Sequence, residues 1–257
     1  MNTEQALTPL GQWLGEDHYT RQESLSFAQC DRNRRIKPAA LLTMMAAAGG
    51  YDYDARGLTY EKLYEMGHVF LLSRLAFRVH RYPLSGQTVT MTTWEDGARA
   101  AHMRRVFEIT GPDGALQVSG RSEWILVDPK SRKILRPSAF TARPFTTCKK
   151  EIDCPECRRV PPPGPEGEGL GLRPVRWSDL DGNGHVFSGN YGNIIWDALP
   201  ADLQDRPLRE FQINYHREAV LGDELELRGV READGYRMSG GGVGGMCFTC
   251  QCIFMEF

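Results

Sequence analysis

Two blocks of sequence recur in the same order in the two halves of this 257-residue chain, and no other feature constrains the fold as much. DRNRR at 31–35 lines up with DGNGH at 181–185. FRVHRYPLSGQTVTM at 77–91 lines up with INYHREAVLGDELEL at 213–227. Because both matches occur in the same order, they indicate a duplicated structural unit.

The middle of the chain has the composition of a linker. Three consecutive prolines at 161–163, followed by GPEGEG, exclude a helix interior or a central strand. We therefore predict an N-terminal domain at 1–137, a linker at 138–170 and a C-terminal domain at 171–257. Within the linker, an extended crossing between the halves is expected at 158–169.

Each half has the pattern of a strand, a helix and then several strands. The predicted helix at 38–54 starts with a proline and is apolar on nearly all sides, so it should be buried, and a second helix is predicted at 189–199. The pattern favours an α+β fold of two tandem hotdog domains, each an antiparallel sheet wrapped around a central helix. The two domains should pack as a pseudo-dimer with one long sheet. The strand-like runs lie at 19–27, 69–80, 88–94, 102–109, 116–127, 173–177, 208–215, 224–230 and 246–257.

Charge and hydropathy exclude several classes of protein. The formal net charge of -2 argues against a general nucleic-acid binder, which needs a positive excess. No apolar stretch approaches the roughly 20 residues of a membrane span, and the N-terminus lacks a basic start followed by an apolar run. Seven cysteines are an odd number for a disulfide framework. We expect a cytoplasmic protein that binds neither nucleic acid nor membrane.

The segment at 177–200 carries the densest set of polar groups. Asp181, Asn183 and His185 stand at alternate positions, separated by glycines, just before a predicted helix. Side chains from one such bend can converge near a helix N-terminus, whose free N–H groups stabilise developing negative charge. Runs of Asp or Asn with Gly also form plain turns, with Asp179 or Asp181 as the turn or cap residue. The segment alone leaves both readings open.

Two C-x-x-C pairs raise the question of a metal. CPEC at 154–157 lies in the linker with Cys148 nearby, and CFTC at 247–250 lies in a predicted strand. Together they could form a tetrahedral zinc site. The two cysteines of the second pair should face opposite sides of the sheet, however, and buried or unpaired cysteines are the commoner outcome. We predict neither a metal nor a cofactor.

At this point a resemblance becomes specific. The string DLDGNGHVFSGNYGNIIW resembles the active-site motif DLDxNxHVNNxxYxxW of the acyl-acyl-carrier-protein thioesterases, and NYHREA at 214–219 resembles that family's YRRE strand. The segments at 71–94 and 122–137 resemble its first hotdog domain. The similarity covers about 19–136 and 173–257.

The resemblance implies a hydrolase that releases fatty acids from acyl carrier protein, which would be its partner. Asp181, Asn183, His185 and Glu218 take the catalytic places. The family's cysteine after the glutamate is Ala219 here, so no cysteine nucleophile is available at that position. Water is then the expected attacker, with Glu218 or Asp181 as the base.

The internal comparison assigns different tasks to the halves. Where the second half has His185 and Glu218, the first has Arg35 and Tyr82, so catalysis is expected in the second half and part of the acyl tunnel in the first.

Three alternatives to this function stay open: an acyl-CoA thioesterase, a hydratase of the same fold, and a non-catalytic acyl-binding protein. Either a monomeric pseudo-dimer or a homodimer fits. The cations at 32–37 could meet an acidic carrier protein or form a solvated face.

Overall fold

The structure is a computed structural model that describes residues 10–143 and 150–256. One antiparallel sheet of eleven strands runs through that part of the chain. Its strands are β1 Gln12–Leu14, β2 His18–Ser24, β3 Val69–Val79, β4 Thr88–Arg99, β5 His102–Thr110, β6 Leu116–Val127, β7 Glu168–Pro174, β8 Leu208–Tyr215, β9 Glu224–Arg231, β10 Gly235–Gly242 and β11 Gly245–Phe254. The helices are α1 Pro38–Ala55, α2 Tyr60–Glu65, α3 Tyr191–Ala198 and α4 Ala201–Gln204. None of the helices in the described ranges is long and apolar enough to cross a bilayer.

The order of the strands reveals the duplication. The sheet runs β1-β2-β4-β5-β6-β3-β8-β11-β10-β9-β7, so the order β2-β4-β5-β6-β3 is repeated as β7-β9-β10-β11-β8 on the other side of a central seam. At the seam β3 and β8 pair antiparallel, with Leu75 opposite Ile213. The two halves are therefore related by a pseudo-two-fold axis. The prediction of two tandem hotdog domains that share one long sheet is confirmed.

The two central helices meet at this axis. Leu41, Leu42 and Met45 of α1 are fully buried, and each such side chain contributes roughly 1.5–3 kcal/mol. A Cβ on Gly192 of α3 would lie 2.6 Å from the Cα of Ala39 in α1. The helices approach this closely because glycine has no side chain at the contact. One continuous apolar cluster fills the space between both helices and the sheet.

Residues 150–167 have no regular structure and cross the outer face of the central strands. Cys154 Sγ lies 3.5 Å from the carbonyl oxygen of Ser119 in β6. Further on, the Val160 N–H donates to Asn214 Oδ1 at 2.7 Å, and Thr249 Oγ1 donates to the Val160 carbonyl at 2.9 Å. The segment thus covers both halves at the seam. β7 starts at Glu168, three residues before the predicted second domain, and the domain limits themselves stay a prediction.

Candidate active site

The bend before α3 is organised by the carboxylate of Asp181. Asp181 Oδ1 accepts hydrogen bonds from the main-chain N–H groups of Asn183 at 2.8 Å and His185 at 3.4 Å. The Asp181 N–H donates in turn to the His185 carbonyl at 2.8 Å, and Gly184 takes the left-handed φ of 78° that closes the turn. Asp181 is therefore a turn-forming residue, as one of the two interpretations of the sequence expected.

A short ladder joins this bend to the segment between β8 and β9. His185 forms an antiparallel bridge with Val220, and the Val186 N–H donates to the carbonyl of Ala219 at 2.8 Å. As a result His185 Nε2 lies 3.5 Å from Glu218 Oε2. The side chains of His185 and Glu218 are 29% and 36% exposed, so the pair is partly sheltered yet open to water.

Asn183 is not part of this contact. It is exposed at the tip of the bend, and within the described ranges no hydrogen bond joins its side chain to His185 or Glu218. The structure therefore brings two of the four predicted side chains together. Asp181 shapes the bend, and Asn183 lies at its exposed tip.

A third group reaches the pair from the first half of the chain. Arg132 Nη2 donates to Glu218 Oε2 at 2.8 Å, although the two residues are 86 positions apart. Arg132 lies in the turn after β6 and takes an unusual positive φ of 55°. The carboxylate of Asp128 orders that turn by accepting hydrogen bonds from the main-chain N–H groups of Lys130 and Ser131. The sequence patterns did not reveal this arginine.

Asp179 anchors the bend through hydrogen bonds to its buried carboxylate. Its buried carboxylate accepts hydrogen bonds from Arg173 Nη2 at 2.8 Å, the Arg176 N–H at 2.7 Å and Asn190 Nδ2 at 2.7 Å. Burial opposes ionisation, but the hydrogen bonds from Arg173 and Arg176 outweigh it and hold the pKa of Asp179 below its ordinary value. One carboxylate thus ties together β7, the bend and the 3₁₀ turn Ser188–Asn190 that leads into α3.

The equivalent bend in the first half has the same main-chain hydrogen bonds but different side chains. Asp31 Oδ1 accepts from the N–H groups of Asn33 at 2.8 Å and Arg35 at 2.9 Å, as Asp181 does in the second half. Where the second half pairs imidazole with carboxylate, the guanidinium of Arg35 lies 5.3 Å from the ring centre of Tyr82. The Tyr82 hydroxyl donates to the carbonyl of Leu208 at 3.1 Å. This bend carries no base at the equivalent position.

The cations of the first bend are engaged within the molecule. Arg32 Nε donates to Asp205 Oδ1 at 2.8 Å, and Arg35 Nη2 donates to the Asp205 carbonyl at 2.9 Å. Asn33 Nδ2 adds a hydrogen bond to Asp205 Oδ1 at 3.1 Å. These contacts account for much of the basic run without an external partner.

A cavity of about 260 Å³ opens in the first half, between α1, α2 and the start of β3. Val69 lines it and pairs with Val127, five residues before Arg132. The cavity and the His185–Glu218 pair therefore lie toward the same end of the central strands. The lining residues are Ala46, Gly49, Gly50, Tyr53, Asp54, Leu58, Tyr60, Leu63, His68, Val69, Phe70, Glu95, Met103, Arg104, Arg105 and Trp124.

A buried ionic network forms part of the cavity wall. Arg105 Nη2 donates to Asp52 Oδ2 at 2.9 Å and lies 3.7 Å from Glu95 Oε1. The Tyr53 hydroxyl donates to the same Glu95 oxygen at 2.7 Å. Burial, assisted by the Glu95 charge, raises the pKa of Tyr53, so the hydroxyl stays protonated. The charges of Asp52, Glu95 and Arg105 thus compensate one another, and the rest of the wall is largely apolar.

The two C-x-x-C pairs lie on different segments of the described chain. Cys154 and Cys157 pack against β6, and Cys247 and Cys250 are buried in β11. Burial raises the pKa of the Cys154 thiol to about 12. Within residues 10–143 and 150–256 no three or more His, Cys, Asp and Glu side chains are grouped so that they could hold a metal ion. Cys148 lies outside the described residues.

Comparison with family models gives two matches in chain order. The Acyl-ACP thioesterase N-terminal domain matches residues 16–138, and the Acyl-ACP thioesterase C-terminal domain matches residues 170–238. Together they span more than half of the chain.

Individual relatives are distant. The chain is 27% identical over 189 residues to the acyl-acyl-carrier-protein hydrolase FATB2 of Cuphea viscosissima, which is 69% of this chain and 44% of the relative. It is 27% identical over 207 residues to a palmitoyl-acyl carrier protein thioesterase of Cuphea hookeriana, covering 76% of this chain and 47% of that protein. The matched regions thus span less than half the length of these curated relatives.

Solved structures share the fold. An acyl-ACP thioesterase from Bacteroides thetaiotaomicron superposes with a TM-score of 0.84 at 23% identity, covering 93% of this chain and 98% of that one. The 12:0-ACP thioesterase from Umbellularia californica superposes with a TM-score of 0.77 at 17% identity, covering 93% and 97%. At these identities the likeness shows the double hotdog architecture alone.

Proposed function

The chain belongs to the acyl-ACP thioesterase family, and from this premise we propose that it hydrolyses thioesters that join fatty acids to acyl carrier protein. The observation that carries the proposal is the 3.5 Å approach of His185 Nε2 to Glu218 Oε2. It pairs a carboxylate base with an imidazole at a partly sheltered surface, whereas the equivalent positions of the first half hold Arg35 and Tyr82.

Glu218 is the proposed general base. It removes a proton from a water molecule, whose oxygen then attacks the thioester carbonyl carbon. Glu218 is favoured over Asp181 because its carboxylate lies beside the His185 imidazole, whereas Asp181 Oδ1 holds the bend through two main-chain hydrogen bonds. When the tetrahedral intermediate collapses, the carbon–sulfur bond breaks, and the departing thiolate takes up, through His185, the proton that Glu218 removed from the water. Water and thioester thus yield a free acid and a free thiol.

The neighbouring residues support a water attack. Ala219 is fully buried and accepts the Val186 N–H, so the position after the base serves the ladder and supplies no thiol. We propose that the exposed amide of Asn183 orients the thioester carbonyl or the attacking water, which requires no contact with Glu218 in the unliganded protein.

The cavity of the first half is the proposed acyl site. Its lining is mainly aliphatic and aromatic, as expected for a site that binds a hydrocarbon chain. Its volume of about 260 Å³ lies just below the range of roughly 300–1,000 Å³ that is typical for small-molecule sites.

Thiol release from matched substrates tests the proposal. The wild-type protein should hydrolyse acyl-acyl-carrier-protein faster than the corresponding acyl-CoA, with free fatty acid as the product. Glu218→Gln should lower turnover by about 10²–10⁴-fold, the usual contribution of a positioned base. Glu226→Gln, at an exposed position of β9, is the matched control and should leave turnover unchanged.

Other results would favour the alternatives. Faster turnover of acyl-CoA indicates a CoA-dependent thioesterase. Hydration of an enoyl thioester without thiol release indicates a hydratase. Saturable binding of acyl chains with no turnover of any thioester indicates a binding protein.

A further inference from the structure

The turn after β6 and the hairpin between β4 and β5 carry positive charge that is not paired within the molecule. The run PKSRKILR at 129–136 holds four cations and no acid, although the whole chain has a net charge of -2. Of these cations, Arg132 is paired with Glu218. Lys133 and Arg136 are exposed, and neither forms an ion pair or a side-chain hydrogen bond within the described ranges. The same holds for Arg99 at the end of β4.

An open groove of about 540 Å³ lies between these two segments. The hairpin contributes Ala98, Ala100 and Ala101 to its lining, and the chain after the turn contributes residues 134–138. Ile134 is 62% exposed, so a large apolar side chain is available at the groove. Small apolar residues flanked by charged ones are typical of a surface that contacts another protein.

The acidic residues of the two segments leave this positive charge in excess. Asp96, in the hairpin, lies 3.2 Å from Arg104 Nη2 and 3.4 Å from Arg121 Nη1, so its charge is compensated. Asp128 carries the single negative charge of the turn against four positive ones, and its carboxylate accepts hydrogen bonds from the main chain. A partner that meets the groove therefore meets a positive surface.

The groove lies beside the proposed site. Ile134 is two positions from Arg132, whose guanidinium donates to Glu218 Oε2 at 2.8 Å. On the hairpin, Ala98 lines the groove and pairs with Met103, which lines the cavity proposed for the acyl chain. A macromolecule seated in the groove can therefore present a tethered thioester to the proposed base and its acyl chain to the cavity.

We propose that this groove, flanked by Arg99, Lys133 and Arg136, is the docking surface for acyl carrier protein, an acidic protein whose flexible arm carries the thioester. The proposal rests on the thioesterase function proposed above. Opposite charges speed the encounter of two proteins and fix the way they dock, and Ile134 supplies an apolar contact at the centre. The cations of the first bend are less suited, because Arg32 and Arg35 already bind Asp205.

The test compares one acyl group on two carriers, acyl carrier protein and free pantetheine. The double variant Lys133→Glu/Arg136→Glu should lower kcat/KM for the protein-bound substrate by about tenfold or more, as expected when electrostatic steering is lost. Its kcat/KM for acyl-pantetheine should stay close to that of the wild type. Added salt should slow the wild type on the protein-bound substrate and affect the double variant much less.

Two single variants test the charge and the apolar contact separately. Arg34→Glu reverses an exposed cation of the first bend that has no ion pair within the described ranges, and it should leave both substrates unaffected. Ile134→Ser should weaken the reaction of the protein-bound substrate at every salt concentration. Equal behaviour of the double variant and the wild type, an equal loss with both carriers, or a larger effect of Arg34→Glu would overturn the proposal.

A binding measurement separates this proposal from the proposed function. Fluorescently labelled holo acyl carrier protein, which bears the arm without an acyl group, is titrated with the wild type and with the double variant. A Kd that rises about tenfold or more in the double variant supports the docking surface even if no thioester is hydrolysed and the proposed function fails. An unchanged Kd overturns it even if hydrolysis is observed. A dimer that only the double variant dissociates, with carrier binding intact, would assign the groove to a second copy and overturn the proposal as well.

Discussion

Arg132 Nη2 donates a hydrogen bond to Glu218 Oε2 at 2.8 Å, closer than the 3.5 Å between the same oxygen and His185 Nε2. The first half of the chain thereby contacts the proposed base of the second half. The Arg132 side chain is 73% exposed, so the ion pair itself adds only about 0–1 kcal/mol to stability. We expect its effect on the proposed chemistry to be larger, because it occupies one of the two Glu218 oxygens that could accept a proton from water.

Arg132→Ala should therefore raise kcat. Removing one hydrogen bond of about 0.5–1.5 kcal/mol from the base should increase turnover roughly two- to tenfold at saturating substrate. The free energy of unfolding should stay nearly unchanged. Lys130→Ala removes the same charge from the same turn and is the control, since its ammonium has no ion pair with Glu218 in the described structure. A fall in kcat for Arg132→Ala alone would mean that the arginine positions the base.

We expect Asp181 to act by accepting hydrogen bonds that hold the bend, and its negative charge to matter less. Asp181→Asn keeps an oxygen that can accept from the Asn183 and His185 N–H groups, so turnover should stay within about tenfold of the wild type. Asp181→Ala removes that acceptor and should lower kcat much further as the bend loosens. If both variants are equally inactive and the backbone stays intact, the negative charge of Asp181 takes part in the chemistry.

Most of the fold was predictable from local patterns. The expected helix at 38–54 is α1 Pro38–Ala55, and the expected strands at 116–127 and 208–215 are β6 and β8 with the same limits. β10 Gly235–Gly242 was missed because its four glycines are typical of a loop. Close packing explains the first of them, since a Cβ on Gly235 would overlap the Cys252 carbonyl. Local sequence cannot reveal such a contact between strands.

The site was predictable in part. The internal alignment placed His185 and Glu218 at positions equivalent to Arg35 and Tyr82, and the structure brings each pair together. The contact of Arg132 with Glu218 depends on how the halves pack about the pseudo-two-fold axis. No periodicity or spacing within one half of the sequence reveals this contact. The catalytic roles of Arg132 and of the other site residues stay predictions.

Asp179 gives a prediction about pH. Its hydrogen bonds hold the pKa of the folded carboxyl below the ordinary value of about 3.9, so its stabilisation is fully present above that value. It is lost as the pH falls through the lower, folded pKa. Asp179→Asn should lower the free energy of unfolding by about 1–3 kcal/mol at pH 7, measured in urea, and by less near pH 3.

An exposed aspartate provides the comparison for Asp179. Arg231 lowers the pKa of Asp202, but that pair lies in water, so Asp202→Asn should not change stability measurably. A constant deficit of Asp179→Asn at every pH would contradict the account, because it would show that the hydrogen-bond geometry matters and the ionisation does not.

Two glycines in the central helices should respond in opposite directions to alanine. At Gly192 the new Cβ would lie 2.6 Å from the Cα of Ala39, so α1 and α3 must move apart. Overpacking of this kind costs about 1–3 kcal/mol or more. At Gly50 in α1 nothing lies within 4 Å of the new Cβ, and alanine should add about 0.5–1 kcal/mol by favouring the helix. Thermal and urea unfolding of both variants measure the difference. Because the two changes are chemically identical, a stability of Gly192→Ala that equals or exceeds that of the wild type would contradict the close helix contact that joins the halves.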